Sequence, residues 1–74
     1  MVLDLIIKKS FDGYSAVIPS ISGCETWSGN EDDAVIKSLE LLKFYLNLPA
    51  DKKINVDKAR NESEQIIYKL IFKK

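Results

Sequence analysis

The segment from Asp12 to Asn30 is the part of the sequence that most constrains the fold. It reads DGYSAVIPSISGCETWSGN: a turn, a short apolar strand that ends at Pro19, a corner at Gly23-Cys24 and a more polar strand. Proline ends a strand because it has no N–H for the hydrogen-bond ladder, and Asp-Gly is typical of a hairpin turn. A long helical pattern follows at once, so this order predicts a small antiparallel sheet with one helix packed on a face.

Alternating apolar residues predict an N-terminal hairpin. Its first strand runs from Val2 to Lys9 and its second from Tyr14 to Ile18. Between them, Gly13 is expected to supply the positive φ of a tight turn. The apolar residues of the first strand that share one face are Leu3, Leu5 and Ile7.

A third strand is predicted from Cys24 to Ser28, with Trp27 as its most prominent side chain. Cys24 is interpreted as a small buried residue, because free cysteines are usually buried. Trp27 has two interpretations. It is either an anchor for a partner, since tryptophan is enriched in binding hot spots, or a cover for one end of the core.

Asn30 begins the predicted helix, which ends near Leu46. Asparagine is a favourable N-cap, and the acidic residues after it complement the positive end of the helix dipole. A metal or general-acid cluster is the less favoured interpretation of the same residues. They are Glu31, Asp32 and Asp33.

This helix carries more apolar residues than one sheet can cover. Residues at the expected spacing for the sheet-facing side are Ala34, Ser38, Leu41, Leu42 and Tyr45, and further apolar residues are Val35, Ile36, Leu39, Phe44 and Leu46. A helix that is apolar on most sides is buried on most sides, so a partner is expected on the remaining side. The alternative is that residues 48–63 fold over it. The predicted partner-binding residues are Trp27, Ile36, Leu39 and Phe44.

The C-terminal third is less clearly patterned. Lys53 to Asp57 fits a short edge strand, whereas Asp57 to Asn61 fits a helical turn equally well. The β-branched and aromatic run from Glu64 to Lys73 predicts a final strand. Its residues Tyr68, Leu70 and Phe72 share one face. The element order is therefore predicted as β-β-β-α-β in an α+β domain that spans residues 1–74.

Composition narrows the possible functions. Eleven basic and eleven acidic residues balance to zero, so neither nucleic acid nor a membrane is an expected partner. The sequence has no histidine, no Gly-rich phosphate loop and no paired cysteines, so we expect no enzyme activity, no metal and no cofactor. The single cysteine fits a cytoplasmic protein. A chain of this size buries a small core, which favours a homodimer or higher assembly.

The ordered pattern GY-x-A-x-x-P-x-x-x-GC, a polar strand, an N-cap, acidic residues and a helix resembles HicB-type antitoxins. It extends from Ile6 to Leu46. The matching residues are Asp12, Gly13, Tyr14, Pro19, Gly23, Cys24, Asn30, Asp32, Asp33, Ala34, Tyr45 and Leu46.

The resemblance implies a β-β-β-α-β fold that is often compared with a degenerate ribonuclease H fold. It also implies a non-enzymatic role, which is to bind and neutralise a HicA-type toxin that cleaves mRNA with a catalytic histidine. Many relatives carry a C-terminal DNA-binding domain, and none is expected here.

Two alternatives to the antitoxin interpretation remain open. One is a stand-alone accessory domain that binds another protein or a small ligand. The less favoured is a metal-dependent nuclease that uses carboxylates from separate segments. Those carboxylates are Asp4, Asp12, Glu25 and Glu40.

Overall fold

The computed structural model describes residues 1–73 and contains five strands and one helix. In chain order the elements are β1 (Val2–Ser10), β2 (Gly13–Val17), β3 (Glu25–Ser28), α1 (Glu31–Leu46), β4 (Asn55–Asn61) and β5 (Gln65–Ile71). All strand pairs are antiparallel, in the order β3-β2-β1-β5-β4, and α1 packs on one face over β1, β2 and β3. The predicted α+β class and the helix-on-sheet arrangement are confirmed.

The predicted order β-β-β-α-β is wrong by one strand, because β4 precedes the final strand. Asn55–Asn61 pairs with β5 at the sheet edge and is exposed along its whole length, with a register shift between Lys58 and Arg60. A strand exposed on both faces has no apolar alternation, so its pattern is weak. The alternative of an edge strand in this region is therefore confirmed, although the strand spans Asn55–Asn61 and not Lys53 to Asp57. The helical-turn alternative for Asp57 to Asn61 is wrong.

Both ends of α1 are capped, the first by Asn30 as the sequence predicts. The Asn30 Oδ1 atom accepts a hydrogen bond from the Asp33 N–H at 2.8 Å, and the Asn30 amide donates to the Asp33 carboxylate at 3.1 Å. At the other end Asn47 adopts a left-handed conformation with φ 56°, and the Leu48 N–H donates to the Lys43 carbonyl at 2.8 Å. These bonds satisfy backbone groups that helix ends leave free. The described helix lacks the length and the apolar character for crossing a membrane.

The core lies between α1 and one face of the sheet. Its buried apolar residues are Leu5, Ile7, Ala16, Ile18, Cys24, Ala34, Leu42, Tyr68, Leu70 and Phe72. The predicted inward faces of the first and last strands are thus confirmed, and so is the buried position of Cys24. Leu48 and Ile54, which flank the connection after α1, also pack against this core and leave the outer side of the helix uncovered.

A polar cluster connects the start of α1 to β4 and β5, the two strands that the helix does not cover. The Tyr68 hydroxyl on β5 donates a hydrogen bond to the Glu31 carboxylate, and the Lys58 ammonium on β4 lies 3.2 Å from the same carboxylate. The Tyr68 hydrogen bond, aided by Lys58, lowers the pKa of Glu31 despite its partial burial. Burial, and then the bond to ionised Glu31, raise the pKa of Tyr68. The cluster therefore anchors α1 to strands that it does not cover.

Candidate partner-binding surfaces

The four predicted partner-binding residues lie on two different sides of the molecule. Ile36 and Phe44 are 53% and 78% exposed on the side of α1 that faces away from the sheet. Leu39 is only partly exposed, because it packs against the core. Trp27 is 52% exposed and lies on the opposite face of the sheet from the helix. The fold therefore does not place all four residues on one contact surface.

The outer helix surface consists of Ile36, Lys37, Glu40 and Phe44. Glu40 lies one turn from both Ile36 and Phe44, so an acidic residue separates two exposed apolar ones. The Phe44 ring meets the Tyr45 ring edge to face, with 5.7 Å between centroids. Tyr45 is itself fixed, because its hydroxyl donates to the Gly23 carbonyl at 3.2 Å. The exposed phenyl ring of Phe44 thus has a neighbour that limits its motion.

A groove runs between the outer helix surface and the edge strand β3. Its cavity of about 340 Å³ is lined by Glu25, Thr26, Lys37, Glu40, Leu41 and Phe44. The Lys37 ammonium donates to the Trp27 carbonyl at 3.5 Å and so occupies part of the free backbone edge of β3. The groove therefore offers an apolar floor with charged side chains at its rim. This arrangement can accept an apolar side chain from a partner that brings a charged neighbour.

The open sheet face is a second apolar surface, which sequence reasoning missed. We use this name for the side turned away from α1. Its apolar residues are Val2, Ile6, Val17, Trp27, Ile67 and Ile71. The signal was present, since these positions alternate with the buried residues of β1 and β5. The outward residues of an antiparallel sheet are usually polar, whereas here these six apolar residues lie among charged ones such as Asp4, Lys8 and Glu25.

Trp27 lies across Gly13 at the edge of the open sheet face. A Cβ atom at Gly13 would be 2.4 Å from the Trp27 ring and 2.6 Å from the Ser28 carbonyl oxygen. The φ of Gly13 is 159°, which is close to extended backbone. Gly13 is therefore needed for the close approach of the tryptophan ring more than for a left-handed turn. Trp27 is exposed and is not among the residues that pack on the core, so the interpretation of it as a cover for one end of the core is wrong. The partner-anchor interpretation stays a prediction.

The acidic residues at the start of α1 do not converge on one point. Glu31 faces Tyr68 and Lys58, whereas Asp33 bonds to the N-cap Asn30. Among residues 1–73 no group of three or more Cys, Asp or Glu side chains is arranged to hold a metal ion. Burial raises the pKa of the Cys24 thiol, which keeps it protonated and weakly nucleophilic.

Comparison of the chain with protein-family models, with curated proteins and with solved structures finds no match. The class that the fold and its surfaces define is a small α+β domain with two exposed apolar surfaces on opposite sides.

Proposed function

We propose that this chain is a non-enzymatic protein-binding module of the HicB antitoxin type, and that it neutralises a HicA-type toxin. The ordered sequence pattern over residues 6–46 supports the type. The exposed apolar residues of the outer helix surface support the mode of action. The toxin in this proposal is a small, basic protein that cleaves mRNA with a catalytic histidine, which the antitoxin covers.

Phe44 is the observation that carries the proposal. It is 78% exposed at the mouth of the groove between α1 and β3. Complete burial of such a side chain is worth about 1.5–3 kcal/mol, and no element of the described chain supplies it. The Tyr45 ring contacts the Phe44 ring edge to face, and this contact reduces the side-chain entropy that Phe44 loses on binding. Phe44 is therefore the expected anchor of the complex.

The charges around the groove favour a basic partner. Glu25 and Glu40 lie at the rim with Lys37, so acidic groups outnumber basic ones there. Asp33 lies near the start of the same helix, and Lys43, which lines the adjoining cavity with Glu40 and Phe44, donates to the Ala50 carbonyl at 2.8 Å. Complementary charge speeds association and disfavours wrong partners. A basic toxin surface with an apolar side chain at its centre fits this groove.

Co-expression tests the proposal. The second protein is any small, basic, histidine-containing protein that is encoded next to this chain and stops growth when it is expressed alone. Wild-type chain should restore growth and co-purify with it, whereas Phe44→Glu should do neither.

Phe11→Glu is the matched control, because Phe11 is a fully exposed phenylalanine in the β1–β2 turn. It should restore growth as the wild type does. Failure of the wild type to bind any such neighbour contradicts the antitoxin proposal and favours the accessory-domain alternative. If Phe11→Glu and Phe44→Glu lost growth rescue and co-purification equally, the outer helix surface would not be the binding surface.

A further inference from the structure

A row of aliphatic side chains crosses the three central strands on the open sheet face. In the strand register Ile6 lies opposite Val17 on β2 and opposite Ile67 on β5. A second pair, Val2 and Ile71, lies nearer the end of the same strands, and both residues are exposed. The helix of the described chain packs on the other side of the sheet. The row is therefore an apolar patch in the middle of an uncovered face.

We propose that two copies of this chain associate through their open sheet faces. This surface is separate from the outer helix surface, so the proposal does not depend on a toxin. A second copy is the occupant because the opposite charges of β1 lie symmetrically about Ile6 and can pair with those of an identical strand.

The charges on β1 carry the argument for self-association. Asp4 and Lys8 lie on the open sheet face, one on each side of Ile6 and each about 7 Å from it along the strand. A two-fold axis that crosses Ile6 at right angles to β1, in the plane of the interface, brings Asp4 of one copy to Lys8 of the other. The symmetry repeats this pair, as isologous interfaces require. It also stacks the Ile6 row on the same row of the second copy.

The remaining charges of the face are compatible with this arrangement. Lys69 pairs with Asp4 within the chain, and it meets Gln65 of the second copy across the axis. Glu25 and Arg60 lie at the two ends of the aliphatic row, on the edge strands. The same axis sets Glu25 opposite Glu25 and Arg60 opposite Arg60 of the second copy. Asp57 also lies at the β4 edge. These like charges lie at the rim, where water and salt screen them and the cost to association is small.

The size of the face fits a dimer of moderate affinity. Five strands spaced about 4.8 Å apart and roughly 20 Å long present about 500 Å². Two such faces bury about 1,000 Å², which is at the lower end of specific interfaces. The expected dimer therefore forms at micromolar concentration.

Sedimentation equilibrium of the full chain tests the proposal. The wild type should show twice its 8.4 kDa monomer mass at micromolar concentration. Lys8→Asp places like charges together and should weaken the dimer about tenfold or more. Lys9→Asp, the same charge change on the neighbouring residue of the other face, should leave it unchanged. A monomeric wild type, or equal effects of Lys8→Asp and Lys9→Asp, would overturn the proposal.

A second pair of variants separates the two apolar surfaces. Ile67→Lys on the open sheet face should yield a monomer, and Ile36→Lys on the outer helix surface should remain a dimer. Circular dichroism checks that each variant is folded. If Ile67→Lys does not fold, the Lys8→Asp and Lys9→Asp comparison decides. If the Ile36→Lys variant were a monomer and the Lys8→Asp variant remained a dimer, self-association would belong to the outer helix surface. That result would overturn the proposal.

Discussion

The Tyr68 hydroxyl donates a hydrogen bond to the Glu31 carboxylate, which joins β5 to the first turn of α1. The two residues are 37 positions apart in the sequence, so the bond closes a long loop. Lys58 approaches the same carboxylate from β4 and lies over the Tyr68 ring, 5.7 Å from its centroid. The helix itself packs on β1, β2 and β3, so this cluster is its polar link to the other half of the sheet.

This link makes stability depend on pH. The pKa of Glu31 lies below its ordinary value of 4.5 in the folded chain, so the unfolded chain binds a proton more readily. The stabilisation is therefore complete above about pH 4.5. It is lost as the pH falls through the lowered pKa that Glu31 has in the folded chain. Urea unfolding across acidic pH measures it. Glu31→Gln should reduce stability near neutral pH by about 1–2 kcal/mol and flatten the acid limb of the profile. An unchanged acid limb would contradict the role of this carboxylate.

Gly13 should tolerate no side chain. Gly13→Ala places a Cβ atom against the Trp27 ring and the Ser28 carbonyl, and overpacking of this kind costs about 1–3 kcal/mol. Gly29→Ala is the control, because nothing lies within 4 Å of a Cβ atom there. Thermal unfolding should show a clearly lower Tm for Gly13→Ala alone. Equal Tm values for the two variants would mean that Trp27 does not pack on Gly13.

Leu39 and Ile36 should respond differently to a charge. Leu39 packs against the core, so Leu39→Asp is expected to destabilise the fold as well as any contact of the helix. Ile36 is 53% exposed, and Ile36→Asp should change the free energy of unfolding by about 0.5 kcal/mol or less. Denaturant titration of both variants measures this. A large loss of stability with Ile36→Asp would place that residue in a folded-state contact.

Leu42 should be the most sensitive helix position. It is completely buried between α1 and the sheet. Leu42→Ala removes three carbon atoms from the core and is expected to cost about 2–5 kcal/mol. Denaturant unfolding measures the loss, with Phe44→Ala as the exposed control on the same helix. A loss for Phe44→Ala as large as for Leu42→Ala would contradict the burial pattern.

The helix was predictable because its signals are local. Asn30 and Asn47 define its ends through hydrogen bonds within a few residues, and propensity rules describe such bonds well. β4 was not predictable with the same certainty. Its residues are exposed on both faces, and it is held by pairing with β5 across a turn. That pairing is tertiary information, which the local pattern of NVDKARN does not contain.

The outer helix surface was predictable from local sequence, whereas the open sheet face was not. Ile36 and Phe44 are conspicuous on the polar side of a helical pattern, and the structure exposes both. Ile6 and Ile67 were read only as members of strands. Their importance depends on the register that sets them side by side on the uncovered face. Register between strands this distant in sequence is not written in either strand alone.

Calorimetric titration of any toxin-like protein encoded next to this chain tests most directly whether the molecule acts by docking through the outer helix surface. We expect a saturable binding isotherm for the wild type and an affinity loss of about thirtyfold or more for Phe44→Glu. Phe11→Glu should bind as the wild type does. No binding heat with the wild type, together with the absence of a complex in gel filtration, would show that the outer helix surface does not bind a toxin.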